Sequence, residues 1–371
     1  MKEEKVIKSL KITSIAFGLI LGILSVFLVL NESFALFTSK TAKTTYSLEV
    51  HKIPMLTTGR SFQTILRNAG YKDKITEVVF EANKDLNTIA TSIDSFDVSA
   101  KYNGAIMGYM TEDQSISDMY ILHIATDSDK IYANSDSSIL FCGLSTNNYV
   151  FLGLKSINGI EMLDTSKVTD MNNMFAGCAN LESLDVAHFD TSDVVSMTNM
   201  FNGCSSLTSL DVTHFDTTNV IRMACMFCMC SGLTELDVTN FNTSKVINMQ
   251  GMFWKCSGLT ELDVTNFNTS NVTNMSSMFR ECSGLTILDL SGFDTSNVKG
   301  SNTSNLDGCR YMFYGCSSLT ELRMDSAEIG QVGNYLSMFT SSNLHIYLKD
   351  TQTNRDFMST NFSAYTNITW V

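Results

Sequence analysis

The residues of this chain whose type and spacing could do chemistry are carboxylates. Asp185, Asp211, Asp237, Asp263 and Asp289 recur every 26 residues, and Glu235 and Glu261 each stand two positions before one of them. Glu321 continues the glutamate row, but Arg323 then stands where the next aspartate would fall. A row of acids attracts a basic ligand or cations. Acid–base catalysis asks for more, because it needs two carboxyls in unequal environments, and copies of one residue in one setting do not supply that. The row also has a plainer reading as a solvated face that maintains solubility, copied passively as the repeat was duplicated.

Two other groups carry ligand chemistry in principle. His188 and His214 share a repeat phase with Asn240, Asn266 and Gly292. All three residue types tolerate positive φ, so a turn requirement accounts for them, and zinc would lack a third ligand. Cys225, Cys228 and Cys230 are dense, but half a metal site with no second pair nearby is weak. Six cysteines, Cys178, Cys204, Cys230, Cys256, Cys282 and Cys316, recur at one phase and read as a buried ladder. Asp127 and Asp129 lack the further ligands and glycine of a calcium loop. Phosphate-binding loops, a nucleophile elbow and a metalloprotease helix have no match in the sequence. The expectation is a protein that is not an enzyme and takes no cofactor and no metal.

What positions the acids is a repeat. The pair Met-Phe begins at Met174, Met200, Met226, Met252, Met278, Met312 and Met338, at intervals of 26 residues save for 34 between Met278 and Met312. A fixed period of this size means stacked units that cannot bury their apolar faces alone. In each copy Leu181, Leu184, Val186 and Phe189, or their equivalents, have the spacing of a short strand and an inward turn. Val194, Met197, Met200 and Cys204, at steps of three, three and four, predict a short α- or 3₁₀-helix capped by Thr191-Ser192. The expected fold is an α/β solenoid, leucine-rich-repeat-like, of about seven coils with one short strand and one short helix each, plus an N-terminal α+β cap. The aspartates then point outward from the strands, on the concave face. Lys299 to Gly308 reads as a surface insertion, with Cys309 as a core residue.

Four regions follow. Residues 1–35 read as a signal peptide or an N-terminal membrane anchor: four lysines precede the 19-residue uncharged run Ile12 to Leu30, and Ser33-Phe34-Ala35 suits a peptidase. Both fates place the remainder outside the cell. Residues 36–158 are the cap domain, with a helix over Ser61 to Asn68, a strand over Ile75 to Phe80, and a hairpin of Tyr120–Ile124 with Lys130–Tyr132. The solenoid spans 159–348 and a C-terminal cap 349–371.

The stretches LDVTNF, NTSNV and MSSMFRECSG resemble the bacterial surface leucine-rich-repeat proteins of the BspA type, in particular their Mycoplasma-type repeat branch. The resemblance covers about 160–345 and implies an exported or surface-attached protein, in some members an adhesin. The net charge of −13, from 25 basic and 38 acidic residues, argues against a nucleic-acid partner. The expected function is binding of a protein partner (host, matrix or other cell-surface protein) through Asp185, Asp211, Asp237, Asp263, Asp289, Glu235 and Glu261. The alternative is a structural envelope protein without a specific ligand. Membrane contact is expected only through the N-terminal segment.

Overall fold

The computed structural model describes residues 27–30, 33–38, 47–51, 53–89, 95–101, 103–144, 149–298, 308–329, 338–339 and 344–371. The chain divides into two compact units, Met1–Pro54 and Met55–Val371. In the first unit, β1 (Phe27–Leu30), β2 (Ser33–Thr38) and β3 (Ser47–His51) form an antiparallel sheet in that order. Most of the expected export segment, residues 1–26, lies outside the described residues, as does the 299–307 part of the insertion. Among the described residues no helix is long and apolar enough to cross a membrane.

The second unit opens with α1 (Gly59–Asn68), whose Phe62, Ile65 and Leu66 are spaced to fall on one face and whose first turn is capped by the Thr58 hydroxyl. Next come β4 (Ile75–Glu81), α2 (Leu86–Ile89), β5 (Ser95–Asp97), β6 (Ile106–Glu112) and β7 (Tyr120–Thr126). With β9 (Ser156–Asn158) they make a five-stranded sheet of order β5-β6-β7-β4-β9, in which β4 runs parallel to both β7 and β9. The expected hairpin is not formed. Its second arm, β8 (Ile131–Tyr132), pairs in parallel with β10 (Leu163–Asp164), so residues 127–130 lead out of one sheet into another.

From Ser137 onward the backbone follows one scheme, and it differs from the expected helix. In the Met-Phe half of each coil alternate amides point in different directions. Met197, Asn199, Phe201 and Gly203 donate to the carbonyls of Arg222, Ala224, Met226 and Cys228 in the next coil, at 2.7–3.0 Å. Met200, Asn202 and Cys204 instead close three-residue turns onto Met197, Asn199 and Phe201. An α-helix would spend these amides inside its own coil and leave no bonds between coils. Consecutive turns also bury every third residue, which is why the apolar spacing mimicked a helix. The turns need the left-handed region twice per coil, at φ 56° for Asn199 and 81° for Gly203, and equivalently at Asn173 and Gly177. By contrast His188, His214, Asn240 and Asn266 are absent from the positive-φ residues, so the turn requirement expected there is overturned. Asn240 and Asn266 are explained instead by their side-chain amides, which donate to the Thr213 and Thr239 carbonyls of the preceding coil.

The ladder begins one copy earlier than the sequence suggests. Ser137, Ile139, Phe141 and Gly143 donate to Asp170, Asn172, Met174 and Ala176, and Phe141 heads the row of stacked rings. That copy is hidden because Leu140 replaces the methionine and 34 residues separate it from the next. Its own outward carbonyls, which have no earlier coil to accept from, are met by α1: the buried Gln63 amide donates to Leu140 and Cys142 carbonyls, and its oxygen accepts from the Val150 amide.

The core is built of like residues stacked on like. Phe175, Phe201, Phe227, Phe253, Phe279, Phe313 and Phe339 lie nearly parallel with centroids 5.7–5.9 Å apart. Each ladder cysteine donates its thiol to the phenylalanine carbonyl of the preceding coil, as Cys230 does to Phe201 at 3.1 Å. Buried threonines tie the other half together: Thr165, Thr191, Thr217, Thr243 and Thr269 donate to a carbonyl of the next coil at 2.9–3.0 Å. Thr191 is therefore an inter-coil tie and not a helix cap. Replacing Thr243 by Val is expected to cost about 1–3 kcal/mol, because the Asn268 carbonyl loses its buried donor while the shape is kept. Urea unfolding measures this, and a Thr243→Val protein as stable as Thr243→Ser would show that the hydroxyl is idle.

Strand pairing on the aspartate side is confined, among the described residues 181–370, to β11 (Ile287–Asp289), β12 (Glu321–Met324), β13 (His345–Leu348) and β14 (Ile368–Trp370). The short strand expected in every coil is thus absent from the earlier ones. Asp211, Asp237 and Asp263 each accept the amide two residues on, as Asp289 does within β11. Where Arg323 replaces the aspartate, parallel pairing extends on both sides. The helix α3 (Gln352–Asn361), capped by Thr351, precedes the last strand.

Candidate functional site

Leu210, Val212 and Phe215, and their equivalents in each coil, are buried, so the residues between them face out. This places Asp211, Asp237 and Asp263 in the open, with Glu235 and Glu261 exposed beside them and Asp289 half-buried at the end. Together these six carboxylates line a groove of about 1130 Å³ whose lining holds no lysine, arginine or histidine. Asp185 lies outside it; its carboxylate accepts the Ala187 amide at 3.0 Å.

Each groove aspartate is already half engaged. Asp211 Oδ1 accepts the Thr213 amide at 3.0 Å and hydroxyl at 2.6 Å, and Asp237 and Asp263 repeat this with Thr239 and Thr265. The Thr213 hydroxyl and amide hold the Asp211 carboxyl below its ordinary range. Thr239 does the same for Asp237, against the opposing charge of Asp211. Carboxylates on adjacent coils, roughly 5 Å apart, repel by about 0.8 kcal/mol in a water-like dielectric. Two local hydrogen bonds to each of Asp211 and Asp237 exceed that, so these two carboxyls stay ionised. All of these local bonds fall on Oδ1.

The other sequence candidates do not assemble into ligand sets. His188 and His214 are exposed, and His214 Nδ1 meets the neighbouring Thr213 hydroxyl at 3.2 Å. Cys230 is buried in the ladder, apart in role from Cys225 and Cys228. Among the described residues, no group of three or more His, Cys, Asp or Glu is placed to hold a metal ion.

One cluster was not legible beforehand. Arg280 stacks on Trp254, Tyr311 and Tyr314 with centroid distances of 5.0, 5.1 and 5.4 Å, and pairs with Glu281 at 2.9 Å. Arg310 lies 4.6 Å from the Tyr311 ring. These residues come from three successive coils, with Trp254, Arg280 and Tyr314 at one phase and Tyr311 at another, where an earlier copy holds Asn202 and Asn199, so no single repeat displays the set. They border a smaller cavity of about 340 Å³ that also receives Cys225.

The repeat that builds both surfaces matches a described family over 146–236 and 229–351, together more than half of the chain: Mycoplasma protein of unknown function, DUF285. The chain belongs to the DUF285 family. No curated protein and no solved structure matches it. The DUF285 match covers the coils that carry the aspartate row, from Asp185 to Asp289, and stops short of the last strand. The hidden copy at Ser137–Gly143 precedes the matched region, so the stacking of this DUF285 chain starts before its family signature does.

Proposed function

We propose that this DUF285 chain is an exported, surface-exposed repeat protein of the BspA type, a leucine-rich-repeat-like solenoid, which binds a macromolecular partner in adhesion to host or matrix proteins. The observation that carries the reading is the acidic groove: six carboxylates and no lining cation. A partner with a basic or hydroxyl-rich surface suits it, and the role is binding without catalysis. The N-terminal segment provides the only expected membrane contact, and the location is extracellular or on the cell surface.

The second reading is a structural envelope protein with no specific ligand. What favours it is the turn chemistry of the same aspartates, since each has a local job in its own coil. An array of matrix proteins probed with the full chain separates the two. Exchanging Asp211, Asp237 and Asp263 together for Asn removes three ion pairs of about 0.5 kcal/mol each, an expected affinity loss of about tenfold that fades with added salt. Binding unchanged by the triple exchange across a salt series removes the groove from consideration. Fractionation of the native host tests the location, and a cytosolic protein contradicts it.

A further inference from the structure

We propose that Cys225 and Cys228 form a thiol–disulfide site that reacts with small anionic disulfides, independently of the acidic groove. Cys225 stands at a phase where the other described copies have no cysteine, and Cys228 at one it shares with Cys142 of the first copy. Position 225 is Asn199 and Ser277 in other coils, and position 228 is Ala176 and Asn202. They are therefore not part of the buried ladder.

The backbone brings them together. The Cys228 amide donates to the Cys225 carbonyl at 3.2 Å, closing a turn over Cys225-Met226-Phe227-Cys228, and Cys225 sits at φ 55°. Such a turn holds its end Cα atoms within about 7 Å, and disulfides span about 4.4–6.8 Å. The adjacent Cys228 thiol lowers the titration of Cys225, and Cys225 together with burial raises that of Cys228. The pair thus has an attacking member and a resolving one.

Access and ligand class come from the surroundings. Cys225 is partly exposed and opens into the 340 Å³ cavity, whose lining carries Arg280 and Arg310 and no carboxylate. Glu281 lies next to the cavity and neutralises part of the Arg280 charge. Gly251, one coil on, keeps the thiol clear: a Cβ there would stand 3.0 Å from the Cys225 sulfur. The ladder cysteines have neither opening nor partner thiol of this kind, and burial pushes Cys230 up to about 12.

The step balances with a small disulfide as oxidant. The Cys225 thiolate attacks one sulfur of the reagent, forming a mixed disulfide and expelling one thiolate. Cys228 then gives up its proton and displaces the second thiolate, closing the Cys225–Cys228 bond. Two protein thiols are oxidised, one reagent disulfide is reduced to two thiols, and both protons end on them.

The test treats the native full chain with oxidised glutathione, quenches by alkylation, and reads intact mass and fragments. The expected wild-type product has lost two of its ten free thiols, both within Met223–Lys245 and mapped to Cys225 and Cys228. Cys228→Ala is expected to stop at one glutathione on Cys225, and Cys225→Ser to stay unreacted at both positions. Both variants use residues the repeat itself places there, and circular dichroism checks their fold. Retention of all ten thiols, oxidation at ladder cysteines, or equal reaction of Cys225→Ser overturns the site. A neutral disulfide is expected to react severalfold more slowly, and equal rates overturn the preference for anions.

Discussion

Raising the pH above 9 is expected to unfold this protein steeply. Burial pushes the thiols of Cys142, Cys230, Cys309 and Cys316 from an ordinary 9.0 up to about 12, and raises Cys204, Cys256 and Cys282 as well. In the unfolded chain these thiols ionise from about pH 9, while in the folded chain they hold their protons. The stability they leave intact below pH 9 is lost as pH climbs towards 12, because the folded state binds more protons there. Each such thiol removes about 1.4 kcal/mol per pH unit, so the four with assigned values remove about 5–6 kcal/mol per unit. A domain holds about 5–15 kcal/mol in total, so about one to three units suffice. The urea midpoint between pH 8 and 11 reads this directly. Cys309→Met, which restores the residue other copies carry at that phase, is expected to lessen the slope by about 1.4 kcal/mol per unit. An unchanged slope, or thiolate absorbance appearing in the folded protein near pH 9, would contradict the account.

The second large effect is expected from Phe227→Ala. The ring is fully buried, with Phe201 and Phe253 each 5.8 Å away and nearly parallel, and Phe241 tilted at 6.4 Å. Truncation opens a void in the middle of the row and costs about 3–5 kcal/mol. Neither neighbour can close the gap, because the amide ladder fixes the distance between coils on both sides. Phe227→Leu keeps most of the volume and is expected to lose far less, and Ile247→Ala, on the exposed surface, about 0.5 kcal/mol or less. A loss under 1 kcal/mol for Phe227→Ala, by urea unfolding with an unchanged m value, would mean the stacked rings are not what holds the coils.

The sequence made the stacking legible and the backbone less so. Met-Phe spacing located the buried rings because burial depends on phase alone, and phase survives in Met174, Met200 and their copies. It did not distinguish a helix from a run of turns, since Val194, Met197 and Met200 recur at three in either case. Nor could it show that Asp211 would take the Thr213 amide, or that strand pairing would be confined to the last coils. The acidic row itself was readable, because residues of one type at one phase must share a face. The Trp254–Arg280–Tyr311 cluster was not, because it joins unlike residues from separate coils, each unremarkable in its own copy. The hidden copy at Ser137 escaped for the opposite reason: its backbone conforms while its side chains do not.

Gln63 has a meaning for assembly as well as for folding. A stack whose coils all donate in one direction is an open template, and its first coil would offer a row of bare acceptors to any second chain able to supply amides. In this molecule those acceptors are met by a side-chain amide from α1. Gln63 therefore acts as a chain terminator. It ends, inside one polypeptide, a pattern that would otherwise have reason to continue into a fibre.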